Sequence, residues 1–423
     1  MKKLICFFSL SFIIFSSVNI FATQLPTDFL ATLNTQQQNQ EQEEEKEVVD
    51  PYSIAFGGNF SSGNTISFYE EQELFFKNTE NLSLWLKLPL SKDYKSFFAC
   101  EGFYDFSVAT NSNEENNGTD FNINNTLDIP LFKFAFNIYS DKVITDINLG
   151  RFYFTDTTGV IFYQSVDGLF TNFNINKTEL SLFAGYTGLI NARNTTYFNN
   201  PYNDTANIYA LSPKFLVASA RGKFNIFNTQ FFNAEFFTSF DLGKLDYNKI
   251  YTTLTFNGAI SQRFFYILQS TLGMNIKSDG SEKLTIANLS KIDLATYFSF
   301  LNSSLTFSGV YASGNTKGIS AFQPVSEIES SVIGHTFSSM MRAGVIYTFK
   351  PVDSLYISLD SDGICSFKEI DSALIFDGIQ WKIEAKWQIV SDVYVSLNGQ
   401  QFISFVDETP NYFLAGLNLG FSF

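Results

Sequence analysis

The sequence predicts an all-β chain that folds into a transmembrane antiparallel β-barrel of about 18 strands (roughly 16 to 18), with short turns at one end and long loops at the other. Aromatic residues make up 17% of the 423-residue chain, with Phe at 50 positions, whereas charged residues make up only 16%. The apolar residues are spread among polar ones. Beyond the N-terminal segment, no apolar run approaches the roughly 18 residues of a membrane-spanning helix. A sheet with one face in lipid explains both features, and a large secreted β-protein is the alternative.

The N-terminal 50 residues divide into two segments before the barrel. Residues 1–22 have the pattern of a signal peptide, since Lys2 and Lys3 precede the apolar run Leu4–Phe15 and a small residue, Ala22. Residues 23–50 are rich in Gln and Glu with little to bury, which predicts a disordered acidic periplasmic tether. A plug inside the barrel is the alternative for this segment. The barrel is predicted over residues 51–423.

The charge balance and the few cysteines exclude several classes of function. A net charge of −15 would repel phosphate groups, so a nucleic-acid partner is not predicted. Cys100 and Cys365 lie on segments placed far apart, which favours two free thiols over a disulfide. The chain has no CxxC motif and one histidine, His335, so neither a structural zinc site nor another cofactor is predicted.

Alternation with a period of two continues along the chain from Tyr52. Near the C-terminus, apolar residues alternate with small or polar ones from Phe413 to Phe423, and Leu82 to Leu90 repeats the pattern. These patterns and the turn residues between them predict 18 strands, near residues 52–60, 81–90, 95–109, 128–139, 143–155, 168–175, 178–188, 214–226, 229–241, 249–260, 264–277, 284–300, 304–313, 336–349, 354–367, 374–389, 393–406 and 411–423.

The connections between these strands alternate between short and long. The longest are predicted at 111–125, 189–213 and 314–334. Alternation of this kind is typical of periplasmic turns and extracellular loops in membrane barrels, with both termini on the periplasmic side. Inward folding of residues 191–204 or 314–329 would favour a channel, whereas outward projection would favour a binding surface.

The C-terminal strand, residues 411–423, carries a resemblance to outer-membrane β-barrel proteins of diderm bacteria. Its apolar residues at every second position, Leu417, Leu419, Phe421 and the final Phe423, look like the assembly signal of that family. The resemblance covers residues 52–423. It implies an outer-membrane location, contact with outer-membrane lipid and recognition by the barrel-assembly machinery.

A narrower resemblance lies between residues 149 and 169. Leu149-Gly150-Arg151, then Asp156, then Val166-Asp167-Gly168-Leu169 are similar in order to a "GR … FDG" stretch of alginate-export-type and related 18-stranded porins. The chain departs from that pattern at Tyr163, where the family has tryptophan. The resemblance therefore indicates a type of porin, not a solute.

Parity assigns charged residues to the barrel interior. If the apolar parity faces lipid, the residues lining the pore are Lys87, Glu101, Asp105, Lys133, Asp146, Arg221, Lys223, Glu235, Lys291, Asp293, Arg342, Asp360, Lys382, Glu384 and Lys386. Eight of these are basic and seven acidic, so wall charge predicts no steep ion preference. The set is either a basic ladder that guides an anionic or sugar-like solute or a group of cross-strand pairs that stabilise a wet wall.

Arg151 is a further candidate, although strict alternation aims it at lipid. Gly150 could carry a bulge that turns the side chain inward, as a constriction arginine. The alternative is an arginine at the level of the lipid headgroups.

Catalysis is not predicted, because His335 lies in a loop without an acid–histidine pattern around it. Barrels of about 16 to 18 strands generally enclose water. The leading hypothesis is therefore a porin for passive passage of small hydrophilic solutes, with saccharides a candidate class. A surface protein that binds ligands or host partners through its long loops is the alternative. A transporter for hydrophobic substrates would need an apolar lumen patch and a plug, which polar strand parity disfavours. The oligomeric state stays open.

Overall fold

The computed structural model describes most of the chain from residue 54 onward. The described ranges are 54–69, 74–91, 95–113, 118–140, 142–189, 214–227, 229–243, 248–276, 285–316, 319–328, 335–367, 374–406 and 410–423. The predicted signal peptide and tether, residues 1–22 and 23–50, lie outside them. Within these ranges no helix is long and apolar enough to span a membrane.

Eighteen β-strands in these ranges form one sheet, which confirms the predicted fold class. In chain order they are β1 Ala55–Tyr69, β2 Leu74–Pro89, β3 Phe97–Asn113, β4 Gly118–Tyr139, β5 Ile144–Thr155, β6 Tyr163–Ile175, β7 Thr178–Tyr186, β8 Phe215–Phe227, β9 Gln230–Asp241, β10 Asn248–Ala259, β11 Phe264–Ile276, β12 Thr285–Phe298, β13 Ser303–Ala312, β14 Met340–Val352, β15 Leu355–Phe367, β16 Leu374–Val390, β17 Val393–Ser404 and β18 Tyr412–Ser422. One short 3₁₀ turn, Phe300–Asn302, separates β12 from β13.

The sheet closes because the first strand pairs with the last. Each strand is antiparallel to its neighbour along the chain, and β1 pairs with β18 from Asn59 opposite Ser422 to Tyr69 opposite Tyr412. Next to this ladder, the amide of Gly58 donates to the carbonyl of Phe423 at 2.9 Å. Closure leaves no open sheet edge at this junction, as a strand barrel in lipid requires.

Alternation along the strands separates an apolar outer face from an inner face. On β8, Leu216 and Phe224 are exposed, whereas Val217 and Ser219, of the opposite parity, are buried. On β18, Phe413 is exposed in the same way. In a closed barrel only the outer face can meet lipid, so the exposed apolar residues form the membrane-facing surface.

The connections differ between the two ends of the barrel. At one end, called the turn end, the connections are 90–96, 140–143, 176–177, 228–229, 260–263, 299–302, 353–354 and 391–392. At the other, called the loop end, they are 70–73, 114–117, 156–162, 187–214, 242–247, 277–284, 313–339, 368–373 and 405–411. The first strand begins and the last strand ends at the turn end.

Three expectations about strand bounds were wrong by more than five residues. The first concerns β2, which begins at Leu74 rather than near residue 81. β1 runs to Tyr69 rather than ending near residue 60, and the predicted loop 111–125 is mostly strand, since β3 ends at Asn113 and β4 begins at Gly118. Both stretches carry Ser, Asn, Gly and Thr on both faces, so they lack the apolar period that marked the other strands. The ladder between β3 and β4 forms even without that period.

Gly150 is one of two glycines in the described part of the chain with a positive φ, the other being Gly159 in the connection between β5 and β6. The φ of Gly150 is +119°, and a Cβ there would collide with the carbonyl oxygen of Phe132 on β4. The β4–β5 ladder runs from Tyr139 opposite Ile144 and ends one pair beyond Gly150, at Phe132 opposite Arg151. The backbone therefore requires glycine at position 150, next to the end of the β4–β5 ladder.

We expect Gly150→Ala to destabilise the barrel by about 1–3 kcal/mol or more, because it adds strain at a positive φ and a steric clash. The free energy of unfolding in urea, followed by tryptophan fluorescence in detergent micelles, measures this. Gly102→Ala is the matched control, since a Cβ at that position meets nothing within 4 Å. An equal loss of unfolding free energy in both variants would contradict the strain and the steric clash assigned to position 150.

Candidate functional site: the barrel interior

The connection Asp156–Phe162, called the inner loop, is almost entirely enclosed in protein. Ile161 and Phe162 have no exposed surface. The carboxylate of Asp156 holds the loop together: one oxygen accepts from the amide and hydroxyl of Thr158, and the other accepts from the amides of Ile161 and Phe162, each at 3.0 Å. Burial, with a contribution from the Glu235 carboxylate, raises the pKa of Asp156. The four donors oppose this by stabilising the ionised form.

Side chains on β9, β11 and β12 hold the backbone of the inner loop. Glu235 Oε2 on β9 accepts from the amide of Thr157 at 2.6 Å, and Gln269 Nε2 on β11 donates to the carbonyl of Thr157 at 3.0 Å. Lys291 Nζ on β12 donates to the carbonyl of Thr158 at 2.9 Å. Because β6 and β12 are six strands apart, these contacts require the loop to cross the barrel interior.

A second segment, 319–328, descends into the barrel and docks on the inner loop. The amides of Val325 and Ser326 donate to the carbonyl of Ile161 at 2.8 and 3.0 Å. From the wall, Lys249 Nζ donates to the carbonyl of Pro324 at 2.7 Å. The inward position of this segment is the arrangement that favours a channel. The other segment named for that test, 191–204, lies outside the described residues.

An apolar cluster fills the space between these two segments and the barrel wall. Its members from the loops include Ile161, Phe162, Phe322 and Val325, and its members from the strands are inward residues near the loop end. The strand members are Phe152, Phe154, Val166, Phe183, Phe215, Val217, Phe237, Tyr251, Ala287, Leu289, Val310, Ala312, Met340, Ile364, Phe402 and Tyr412. The inner face is therefore apolar near the loop end, a feature that strand parity did not indicate.

The charged residues predicted to line the interior divide into two groups by exposure. Some are enclosed next to the loops: Glu235 is 3% exposed and Arg342 is 6% exposed. Arg221 Nη2 lies 3.0 Å from Glu235 Oε1 and also donates to the carbonyl of Thr155 at 3.0 Å. Arg342 Nε lies 3.6 Å from Asp362 Oδ1. These side chains support the inner loop and the wall behind it.

The other predicted residues keep more solvent contact. Lys87 and Lys386 are exposed, and each ammonium lies 4.3 Å from the centre of an aromatic ring, Phe97 and Tyr394 respectively. Lys223 Nζ lies 3.8 Å from Glu179 Oε2. The remaining members are all half-buried: Glu101, Asp105, Lys133, Asp146, Lys291, Asp293, Asp360, Lys382 and Glu384.

Arg151 lies in a buried ion-pair cluster. It is 2% exposed, with Nη1 3.0 Å from Asp167 Oδ2 on β6 and Nη2 3.6 Å from Asp128 Oδ1 on β4. Gly150 and Arg151 stand directly opposite Gly168 and Asp167 in the ladder. The "GR" and "DG" pairs noted in the sequence thus form one unit. A three-strand cluster differs from both alternatives derived from the sequence for this arginine.

The cluster bridges a break in the wall. Beyond Phe132, β4 no longer pairs with β5, yet Ser165 Oγ on β6 donates to the carbonyl of Pro130 at 3.0 Å. The part of β4 that precedes Phe132 in the chain therefore contacts β6 instead of pairing with β5. Sequence reasoning missed Asp128, whose position just before Pro130 was the available signal of a strand irregularity.

The four residues of the proposed assembly signal lie at the end of β18. Leu419, Phe421 and Phe423 are exposed, and Leu417 shares their parity. Their side chains belong to the outer face, where an assembly partner or lipid could reach them. Their role in assembly remains a prediction.

His335 lies in a different part of the loop end from the inner loop. Its Nε2 is 3.7 Å from Asp377 Oδ2, and Ser366 Oγ donates to the other oxygen of Asp377 at 2.8 Å. The serine thus contacts the aspartate rather than the histidine, unlike the order of a serine-hydrolase triad. In the described part of the chain, no three His, Cys, Asp or Glu side chains are grouped to hold a metal ion. Cys100 and Cys365 are both free thiols.

Comparison with solved structures finds the same architecture in outer-membrane proteins of Pseudomonas aeruginosa. OpdL has 11% sequence identity and a TM-score of 0.59 over 88% of this chain and 99% of OpdL. OccK7 has 9% identity and a TM-score of 0.58 over 88% and 99% of the two chains. OpdK, in its crystal structure with vanillate, has 10% identity and a TM-score of 0.54 over 87% and 98%.

At these identities the likeness establishes the fold alone, a closed 18-stranded antiparallel β-barrel. With the apolar outer face, this fold places the barrel in a bacterial outer membrane. No family model matches the sequence, and a search of curated proteins by sequence gives no match.

We expect Asp156→Asn to lower the free energy of unfolding by about 1–3 kcal/mol for each backbone donor left without an acceptor, because an amide NH₂ would face N–H groups. Urea unfolding in detergent micelles measures the change. Asp146→Asn, on the inner face near the turn end, is the control. A loss no larger than that of the control would mean that the Asp156 carboxylate does not hold the loop.

We expect Arg151→Met to cost about 3–5 kcal/mol, because it leaves Asp128 and Asp167 buried without their cation. Neutralising both aspartates in the same chain should restore part of the loss, by the logic of a mutant cycle. Arg263→Met, in an exposed turn, is the control and should leave the unfolding free energy nearly unchanged. If the losses caused by the arginine and aspartate substitutions add instead of compensating each other, the ion-pair cluster is ruled out.

Proposed function

We propose that the chain is an outer-membrane channel for passive passage of small hydrophilic solutes, with saccharides as the leading class. The observation that carries this proposal is the pair of segments, the inner loop and 319–328, folded inside a closed 18-stranded barrel. A wide barrel encloses water, and inward segments narrow it to the size of a solute. Selection then depends on the side chains left exposed beside those segments.

The exposed inward residues mark where a passing solute would meet the wall. The inner loop and the apolar cluster occupy the loop end, where buried inward residues come from strands between β5 and β15 and from β17 and β18. Inward residues that stay exposed include Asn59 on β1, Trp85 and Lys87 on β2 and Lys386 on β16. Inward residues therefore stay exposed toward the turn end, on β16, β1 and β2, where a passing solute can contact them.

Trp85 supports a saccharide as the solute. It lies on β2 opposite Gly57 and Glu101, shares the inner face with Lys87 and is 37% exposed. A flat, exposed indole can stack on the apolar C–H face of a sugar ring, while nearby charged groups bind its hydroxyls. The wall of mixed charge, with Lys382 and Glu384 on the same strand, fits a neutral polar solute.

A small aromatic carboxylate is the second candidate solute. OpdK, which shares this fold, has been crystallised with vanillate. In this chain the ammonium groups of Lys87 and Lys386 lie over aromatic rings on the exposed side of the interior. A cation beside an aromatic ring can bind a carboxylate and an aromatic ring in one ligand.

The two alternative functions are less well supported. A surface-binding protein would use loops that project outward, whereas 319–328 is packed inside the barrel. A transporter of hydrophobic substrates would need an accessible apolar patch, whereas Ile161, Phe162 and Phe322 at the centre of the cluster have no exposed surface. The cluster is thus packing between loops and wall.

We expect the purified protein to form a stable open conductance in a planar lipid bilayer, which added sugars reduce. Trp85→Ala should weaken sugar block by about 10-fold, equal to about 1.4 kcal/mol of lost stacking. Trp381→Ala, at an exposed tryptophan on the outer face, is the matched control and should leave sugar block unchanged.

Block by benzoate-type carboxylates rather than sugars, reduced by Lys386→Met, would favour the second solute class. A folded barrel, shown by its shift in gel mobility on heating, that never conducts would refute the channel.

A further inference from the structure

Two lysines at the turn end of the interior share one aromatic ring. Lys87 Nζ on β2 lies 4.3 Å from the centre of the Phe97 ring, and Lys133 Nζ on β4 lies 5.5 Å from the same centre. The ladder places both lysines directly opposite Ala99 on the intervening β3. Because alanine is small, the two ammonium groups converge over Phe97 with nothing large between them.

Neither ammonium has an acidic partner among the residues that the structure describes. Other inward cations do have one: Arg221 pairs with Glu235, and Lys223 lies 3.8 Å from Glu179. On β3, Glu101 is two residues beyond Ala99 and accepts from Ser83 Oγ at 2.6 Å. Two like charges held close together without a counter-ion attract an anionic group.

The sequence supplies such a group close to this site. The run 41–47, Glu-Gln-Glu-Glu-Glu-Lys-Glu, holds five acidic residues and one lysine. β1 begins at Ala55, which pairs directly with Lys87. The eight residues from Glu47 to Ala55 can span up to about 29 Å when extended, so the run can reach across the turn-end mouth.

We propose that the acidic run 41–47 binds in the turn-end mouth of the barrel, with its carboxylates on the Lys87–Lys133 pair. Charge complementarity and the short covalent connection select this occupant over a free anion. A tethered ligand acts at an effective concentration of the order of millimolar, so the run needs only a dissociation constant of about that size to occupy the site.

Zero-length carbodiimide cross-linking of the full-length protein in detergent micelles tests the contact directly. The reagent joins a carboxylate to an amine only where they are in contact, and mass spectrometry of the digest locates the bond. We expect cross-links from Glu41–Glu47 to Lys87 and Lys133. Their yield should fall about tenfold between about 0.01 M and 1 M salt, as the Debye length falls from about 30 Å to about 3 Å.

Matched variants distinguish the possible occupants. Changing the five glutamates of the run to glutamine should abolish these cross-links, whereas Lys142→Met, at an exposed turn-end lysine, should leave them unchanged. Mixing isotope-labelled with unlabelled chains reveals whether the run comes from a second copy, which would overturn the intramolecular contact. Cross-links confined to other lysines, such as Lys386, would also overturn the proposal. Because this readout needs no conductance, failure of the channel hypothesis would leave it interpretable.

Discussion

The shape of the barrel interior depends on the carboxylate of Asp156. A connection folded inside a barrel takes its backbone amides away from water, and each must find an acceptor. Asp156 supplies four acceptor contacts within a seven-residue loop, and Glu235 supplies a fifth from the wall. Once the loop is fixed, the carbonyl of Ile161 becomes the docking point for segment 319–328. The apolar cluster can then pack between two rigid segments and the wall.

This dependence explains why inward charged residues have two different tasks. One group hydrogen-bonds to the inner loop or to the residues that support it, and consists of Arg221, Glu235 and Lys291. The charges of this group stabilise the structure. Lys87 and Lys386, toward the turn end, are exposed and lie over aromatic rings. In the proposed channel, electrostatic selection of a solute would therefore depend on the second group, and a count of all inward charges overestimates the charge that the solute meets.

The sequence predicts the strands better than the interior. Sixteen-to-eighteen-strand closure follows from chain-long alternation, because lipid on one side enforces a strict period of two. The period is absent in the parts of β1 and β4 that carry polar residues on both faces. The period also cannot reveal that the inward residues Phe215 and Val217 are buried. An inward apolar residue becomes buried only where a loop inside the barrel packs on it. Arg151 illustrates the same limit: its partners Asp128 and Asp167 come from two other strands.

In the proposed channel, β2 connects the solute passage with its turn-end mouth. Trp85 and Lys87 are adjacent on its inner face, so a solute that stacks on the indole lies within reach of the lysine pair. A neutral sugar can occupy the indole without displacing a carboxylate from Lys87. An anionic solute must compete with any carboxylate already bound there. The same two positions would therefore make the channel discriminate between neutral and anionic solutes through occupancy of the mouth, even though the charges of the wall nearly balance.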